Sequence, residues 1–97
     1  MQQTTFLKKY LIDIRPERIL QNCTINPDGF SAIIFDNVGS STVEIMGVIE
    51  IKPGESHEFN FDVMDQINSP FSINFLPSEE EEEVEDKIIV TKIYRSL

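Results

Sequence analysis

The sequence predicts an all-β fold: an antiparallel β-sandwich, jelly-roll or Ig-like, of about seven short strands with an N-terminal arm. Three observations predict it. Apolar and polar residues alternate along several short segments, turns with Pro or Gly separate these segments, and no segment after residue 26 has a helical period. The chain has 97 residues, of which 40% are hydrophobic, and this is enough for one compact domain.

Residues 1–25 are predicted to form the N-terminal arm and the first strand. The alternation of Tyr10, Ile12 and Ile14 with their neighbours favours a strand. A large apolar residue at every fourth position also fits a helix, so both structures stay open for this part of the chain. We expect Pro16 to end either element, because proline restricts the backbone of the residue before it.

Residues 26–97 are predicted to form the β-sandwich domain. The segments 26–29 and 52–56 contain Pro and Gly residues that suit turns. Gly47 lies inside a longer apolar segment and marks either a tight hairpin turn or a bulge. The predicted strands are rich in β-branched and aromatic residues and cover 30–36, 42–51, 57–63, 71–75 and 87–97.

The predicted core centres on two of these strands. Within 57–63 and 71–75, large apolar side chains occupy one face and polar side chains the other. Burial of one phenylalanine contributes roughly 1.5–3 kcal/mol, so a few such side chains should account for much of the stability. The residues concerned are Phe59, Phe61, Phe71, Ile73 and Phe75.

Residues 78–86 are predicted to form an acidic loop. Seven acids lie between Glu79 and Asp86, and their mutual repulsion opposes packing. Such a run beside a strand also deters pairing with stray strand edges. Weak binding of a divalent cation is a third interpretation, although the spacing and turn glycine of an EF-hand are absent.

The charge distribution argues against one class of partner. The chain has 8 basic and 17 acidic residues, a formal net charge of −9, and all but one of the basic residues lie in 1–18 and 87–97. Nucleic-acid binding is not expected, because Lys and Arg must cluster on one face to neutralise phosphates. The basic ends could reach an acidic neighbouring subunit, or could screen the acidic middle of their own chain.

Neither a membrane nor a secreted location is expected. No apolar run approaches the roughly 20 residues that span a bilayer, and the first residues lack the apolar region of a signal peptide. The single cysteine, Cys23, excludes a disulfide within the chain. These features predict a protein made in a reducing cytosol, or a particle assembled there.

No catalytic, metal or cofactor site is expected. Cys23 and His57 are the only thiol and imidazole, and two such ligands cannot form a closed zinc site. Phosphate-binding glycine motifs are absent. Acids in the predicted strands could supply paired carboxylates for glycoside hydrolysis, but strand alternation already accounts for them as solvent-facing residues. These acids are Glu44, Glu50, Glu58 and Asp62.

The segment 33–61 resembles a pattern common in small β-sandwich virion proteins of tailed bacteriophages. In that pattern a strand enters an N-x-G-S loop, followed by a V-x-I-x-G strand, an I-x-P-G-E-S turn and an alternating aromatic strand. The corresponding motifs here are NVGS at 37–40, VEIMG at 43–47 and IKPGES at 51–56. The resemblance implies a head or tail component that coats or joins a particle, and its motifs are structural turns.

We therefore expect a non-enzymatic structural or assembly protein, located in a phage virion as a capsid-decorating or head–tail accessory component. It would bind neighbouring subunits, either further copies of itself or capsid and tail proteins, through strand edges and terminal arms. The alternative is a carbohydrate- or peptide-binding β-sandwich module. The predicted contact residues are Phe6, Tyr10, Ile12, Ile14, Ile89, Ile93 and Tyr94.

Overall fold

The computed structural model describes residues 11–62, 65–77 and 84–96, and within these ranges every regular element is a β-strand. The prediction of an all-β fold is confirmed, with eight strands instead of about seven. The strands are β1 (Leu11–Ile19), β2 (Cys23–Ile25), β3 (Ala32–Asn37), β4 (Val43–Ile45), β5 (Ile49–Ile51), β6 (Ser56–Asn60), β7 (Phe71–Phe75) and β8 (Ile88–Ser96). No helix long and apolar enough to cross a membrane occurs in the described part of the chain.

The strands form two four-stranded antiparallel sheets. The long sheet has the order β1-β8-β3-β6 and the short sheet has the order β2-β7-β4-β5. The chain runs out and back as one extended hairpin, because β4 pairs with β5, β3 with β6, β2 with β7 and β1 with β8. Residues 1–25 thus supply one strand to each sheet, insofar as they are described.

The core lies between the two sheets. Phe35 of the long sheet and Phe71 of the short sheet meet there with ring centroids 5.8 Å apart. Phe71 and Ile73 are buried, as the alternation predicts, but Phe59, Phe61 and Phe75 are only partly buried at its margin. Phe59 is at the margin because β6 is an edge strand. The buried apolar residues are Ile25, Phe30, Ala32, Ile33, Phe35, Val43, Ile45, Ile51, Phe71, Ile73, Ile88 and Val90.

Strand β1 continues through Pro16, so the expectation that Pro16 ends the element is wrong. β1 is nine residues long and pairs with β8 along its whole length, from Leu11 opposite Ser96 to Ile19 opposite Ile88. A proline fits a strand when its nitrogen faces an open edge, where no hydrogen bond is lost. The edge position of β1 therefore explains how the strand accommodates this residue.

The turn between β4 and β5 settles the two interpretations of Gly47 in favour of a hairpin. Ile45 pairs with Ile49, and the residues between them reverse the chain. Met46 has φ of 56° and Gly47 has φ of 75°. Positive φ at two successive residues is typical of the tight turns whose twist matches a β-hairpin.

The turn motifs at one end of the sandwich are tied to one another through Asn37. Its buried side-chain amide donates to the carbonyls of Ser41 (2.7 Å) and Ile51 (2.8 Å), and its side-chain oxygen accepts from the Gly39 N–H. Its main-chain carbonyl accepts from the Gly54 N–H at 2.9 Å. One asparagine thus satisfies polar groups from several loop positions, which a buried site requires.

The described end of the acidic segment packs against the same loops. The Ser40 N–H donates to the Glu85 carbonyl at 2.9 Å, and the Ser41 hydroxyl donates to the Asp86 carboxylate. A side chain at Gly39 would meet the Glu85 carbonyl oxygen at 2.2 Å, so glycine is required for this approach. Residues 78–83 of the predicted acidic loop lie outside the described residues.

Candidate protein-interaction surface

Exposed large apolar side chains are concentrated on and just after β1. Leu11, Ile12 and Ile14 are 71%, 58% and 60% exposed, and Leu20 is 59% exposed. Single exposed apolar residues are normal on a protein surface, but a group of them on one strand is characteristic of an interaction site.

The strand register places part of this group on the outer side of the long sheet. Phe35 and Val90 pair with each other and are both buried, which defines the core side of β3 and β8. Ile93 is an odd number of residues from Val90 and therefore points outward. Ile14 is paired with Ile93 and shares its face. The outer patch, as we call it, comprises Ile12, Ile14, Pro16, Ile34, Ile89 and Ile93.

The hydrogen-bond alternation shows which main-chain groups of β1 face the open edge. The Phe61 N–H donates to the Ser31 carbonyl at 2.8 Å, so the Ser31 carbonyl faces the β6 side of β3. Alternation then directs Ala32 to β8, where it pairs with Ile93. Ile93 therefore bonds toward β3, as its acceptance of the Ser31 N–H at 2.8 Å confirms.

The same alternation continues across β8 to β1. The neighbours of Ile93 in sequence, Lys92 and Tyr94, direct their main chains to β1, where they are opposite Arg15 and Asp13. Ile14, which lies between these two β1 partners, must therefore direct its N–H and C=O groups away from the sheet. Every second residue of β1 on either side of Ile14 does the same. The open edge thus consists of the main-chain groups of Ile12, Ile14 and Arg18 and the carbonyl of Pro16.

Among the described strands, β1 has the longest open edge. The other edge strands are β6, with five residues, and β2 and β5, with three residues each. Among the described residues no strand pairs with the free side of β1, and residues 11–18 are exposed. A long open edge with apolar side chains is a template for pairing with another strand.

The core side of β1 and β8 holds a charged cluster near one end of the pair. The Arg15 guanidinium lies 4.6 Å from the centroid of the Tyr94 ring and contacts the Asp13 carboxylate at 2.6 Å. The Tyr94 hydroxyl donates to the Asp28 carboxylate at 2.8 Å, and the Lys92 ammonium lies 3.6 Å from the same carboxylate. These contacts connect β1, β8 and the turn at 26–29, and so hold the β1–β8 pair in position.

Two groups of this cluster have shifted proton affinities. Partial burial, followed by the hydrogen bond to Asp28, raises the pKa of Tyr94 to about 12. The hydrogen bond from Arg15 to Asp13, followed by the charge of Asp13, raises the pKa of Arg15. Both groups therefore keep their protons at neutral pH.

The predicted contact residues divide between the two faces of the long sheet. Ile12, Ile14, Ile89 and Ile93 lie together in the outer patch. Tyr94 lies on the opposite face, where its ring packs edge-on against Phe30 at 6.4 Å. Phe6 and Tyr10 lie outside the described residues. That these residues bind a partner stays a prediction.

Sequence reasoning missed two members of the outer patch, Ile34 and Pro16. Ile34 lies in a segment with apolar residues on both faces, so periodicity alone did not mark which face is turned to solvent. Pro16 was expected to end the element and is instead part of the open edge. A proline in an otherwise alternating segment is itself a signal of an edge strand.

The residues considered for catalysis lie apart from this surface and in different sheets. Cys23 is half-buried in β2 of the short sheet, in a cleft lined also by Glu17 and Lys92. His57 lies in β6 of the long sheet, beside Phe59 with ring centroids 4.7 Å apart. Burial, with a smaller contribution from Glu17, raises the pKa of the Cys23 thiol and so disfavours its thiolate.

Acidic side chains do not gather into a cation site in the described part of the chain. No group of three or more His, Cys, Asp or Glu residues there could hold a metal ion. Glu44 and Glu50 do lie opposite each other on β4 and β5.

A scan against protein families, a search of curated proteins and a search of solved structures each find no match to this chain.

Proposed function

We propose that the protein is a non-enzymatic structural subunit that binds neighbouring protein subunits through β1 and the outer patch. The observation that carries the proposal is the open edge of β1, with Ile12 and Ile14 more than half exposed beside it. Burial of such side chains against a partner supplies the driving force for association, and main-chain pairing supplies orientation.

The strand order supports a jelly-roll form of the sandwich, and we include this in the proposal. A jelly roll has eight strands in two sheets and can be derived by folding one long hairpin over itself. The pairing of the first strand with the last, the second with the seventh, and so on inward corresponds to that derivation. Jelly rolls occur in viral capsid proteins, lectins and cupins, so the fold is compatible with an assembly role without requiring it.

The setting that we propose is the virion of a tailed bacteriophage, as a capsid-decorating or head–tail accessory component. The turn motifs at 37–40 and 51–56, with the strand between them, support this setting. Their residues form the bonded loop cluster around Asn37, which is a structural role. The gene's neighbourhood tests the setting: flanking capsid or tail genes would support it, and flanking genes unrelated to virions would contradict it.

The first experiment measures the mass of the protein in solution by light scattering and sedimentation over a wide range of concentrations. We expect the wild type to exceed the 11.2 kDa of one chain. Ile14→Lys and Ile93→Lys should each weaken assembly at least tenfold, because each places a charge in the outer patch.

Val48→Lys is the matched control. Val48 is 79% exposed but lies in the turn between β4 and β5, away from β1. The Val48→Lys variant should assemble like the wild type. A wild type that stays at the mass of one chain at every concentration, or assembly that both patch variants leave unchanged, would contradict the proposed function.

A carbohydrate- or peptide-binding module is the second candidate, and the open edge favours its peptide form. An extended peptide can add to an exposed strand in the same way as a second subunit. A monomer that binds extended peptides, with loss of binding in Ile14→Lys, would support this candidate over the first.

A further inference from the structure

We infer that the partner of the β1 edge is a second copy of this chain, paired β1 to β1 antiparallel across a two-fold axis at Ile14. This inference rests on the proposed function and specifies the partner for the same surface. The two long sheets then form one continuous eight-stranded sheet, with β1 and its copy at the centre.

Local charge is the first argument for a second copy. The whole chain has a net charge of −9, so two copies repel each other over most of their surfaces. β1 is an exception, because Asp13 and Glu17 are balanced by Arg15 and Arg18. A strand without net charge is the part of an acidic chain that can approach its own copy at the lowest electrostatic cost.

The main-chain groups on the open edge define how such a pair can bond. With Ile14 at the axis, each Ile14 N–H donates to the carbonyl of the second copy's Ile14. Each Ile12 N–H donates to the carbonyl of the second copy's Pro16, which needs no N–H in return to accept it. The outward N–H groups of Ile12 and Ile14 are thus both satisfied in this register, although Pro16 has no N–H.

The side chains select this register over its neighbours. With Ile14 at the axis, Asp13 is opposite the second copy's Arg15 on one face, and Ile12 is opposite its Pro16 on the other. A shift of the axis to Asp13 or to Arg15 brings two like charges directly opposite each other, which is destabilising. An axis at Pro16 places two residues without N–H groups together and sets Ile14 against Arg18.

The outer patch adds to the pairing. Ile14 and Ile93 are paired on the same face, so two copies extend the apolar row from Ile93 through both Ile14 side chains to the second Ile93. The interface is isologous, since each copy contributes the same surface. Self-pairing also removes the open edge from both copies, and an exposed edge is a hazard for uncontrolled aggregation.

The experiment is disulfide trapping in a Cys23→Ser background. Residues 14 of the two copies form a directly opposed pair with Cα atoms about 5.5 Å apart, within the range of about 4.4–6.8 Å that a disulfide spans. Ile14→Cys should therefore form a covalent dimer under mild oxidation, at low protein concentration and in high yield.

Ile12→Cys in the same background is the matched control. Its exposure is 58% against 60% for Ile14, and both lie on the same edge and face. The two residues 12 lie four residue steps apart along the paired strands, about 14 Å, so this variant should give little covalent dimer. Equal trapping of both variants would overturn the register, because random collision produces that result.

A charge exchange gives a second measurement that does not need a new cysteine. Asp13→Arg and Arg15→Asp should each weaken dimerisation at least tenfold, because each creates like-charged opposed pairs. The double exchange restores opposite charges across the two-fold axis and should recover dimerisation. A double variant that stays as weakly dimeric as the single variants would contradict this register.

The outcomes separate this inference from the proposed function. Assembly that depends on Ile14 and Ile93 but gives no Ile14→Cys trapping would overturn the two-fold pairing and leave the proposed function intact. A chain that stays monomeric would overturn both. Selective trapping at residue 14, with recovery in the double exchange, would support both.

Discussion

β3 and β1 lie on the two sides of the same strand, β8, and share an isoleucine-rich composition, but their surroundings are opposite. β3 has β8 on one side, β6 on the other and the short sheet above it, and most of its side chains are buried. β1 has β8 on one side and an open edge on the other, and its first eight residues are exposed. The comparison shows that the same strand chemistry yields a core element or a contact surface according to its neighbours.

The largest expected effect is a loss of stability on changing β3, the buried strand of this pair. Phe35→Ala removes a fully buried ring that contacts Phe59 and Phe71, and should cost about 3–5 kcal/mol of unfolding free energy. Ile14→Ala on β1 should change it by less than about 0.5 kcal/mol when both are measured at protein concentrations too low for assembly. Urea denaturation measures both, and similar losses at the two positions would contradict the contrast between the strands.

The second effect concerns the end of β3. Asn37→Asp keeps the shape of the side chain but removes the two N–H donors to the Ser41 and Ile51 carbonyls. Buried acceptors without partners cost about 1–3 kcal/mol each, so the two carbonyls together should cost about 2–6 kcal/mol. A thermal unfolding curve equal to that of the wild type would show that this loop cluster does not contribute to stability.

The third effect sharpens the description of β1. Pro16→Val adds an N–H that faces the open edge, so the bonds between β1 and β8 should persist. The unfolded chain becomes more flexible, and one chain should lose about 0.4–1 kcal/mol of stability. Association should nevertheless strengthen, because the new N–H can donate to the second copy's Ile12. Weaker association, measured by sedimentation, would contradict the assignment of the Pro16 nitrogen to the free edge.

The smallest effect lies in the cluster that joins β1 to β8. The pKa of Tyr94 is about 12 in the folded protein, against an ordinary value of 10. The folded state therefore holds the hydroxyl proton of Tyr94 more tightly than the unfolded chain does. Its contribution to stability is complete below pH 10 and is lost as the pH rises through 12. Tyr94→Phe should therefore show a shallower fall in unfolding free energy over this pH range, and equal slopes would contradict the raised pKa of Tyr94 in the folded protein.

Local patterns predicted much of this fold. Alternation and turn residues identified β3, β4, β5, β6 and β7 close to their positions, because side-chain periodicity in a half-buried strand is a local property. They also included Ile12, Ile14, Ile89 and Ile93 among the predicted contact residues, and the structure places these four together in the outer patch. They did not place Phe59 at the margin of the core, since that depends on β6 being an edge strand.

The amino-acid sequence alone determined that this chain is built from strands, because alternating apolar residues can bury one face only in a pleated sheet. Tertiary structure decided which strand lies at the open edge, which side of β1 carries the outer patch and how Pro16 is accommodated. Those features depend on pairing between segments far apart in the chain, such as β1 with β8, and no local pattern specifies a distant partner. The surface that we propose for assembly is therefore a product of topology acting on an ordinary strand.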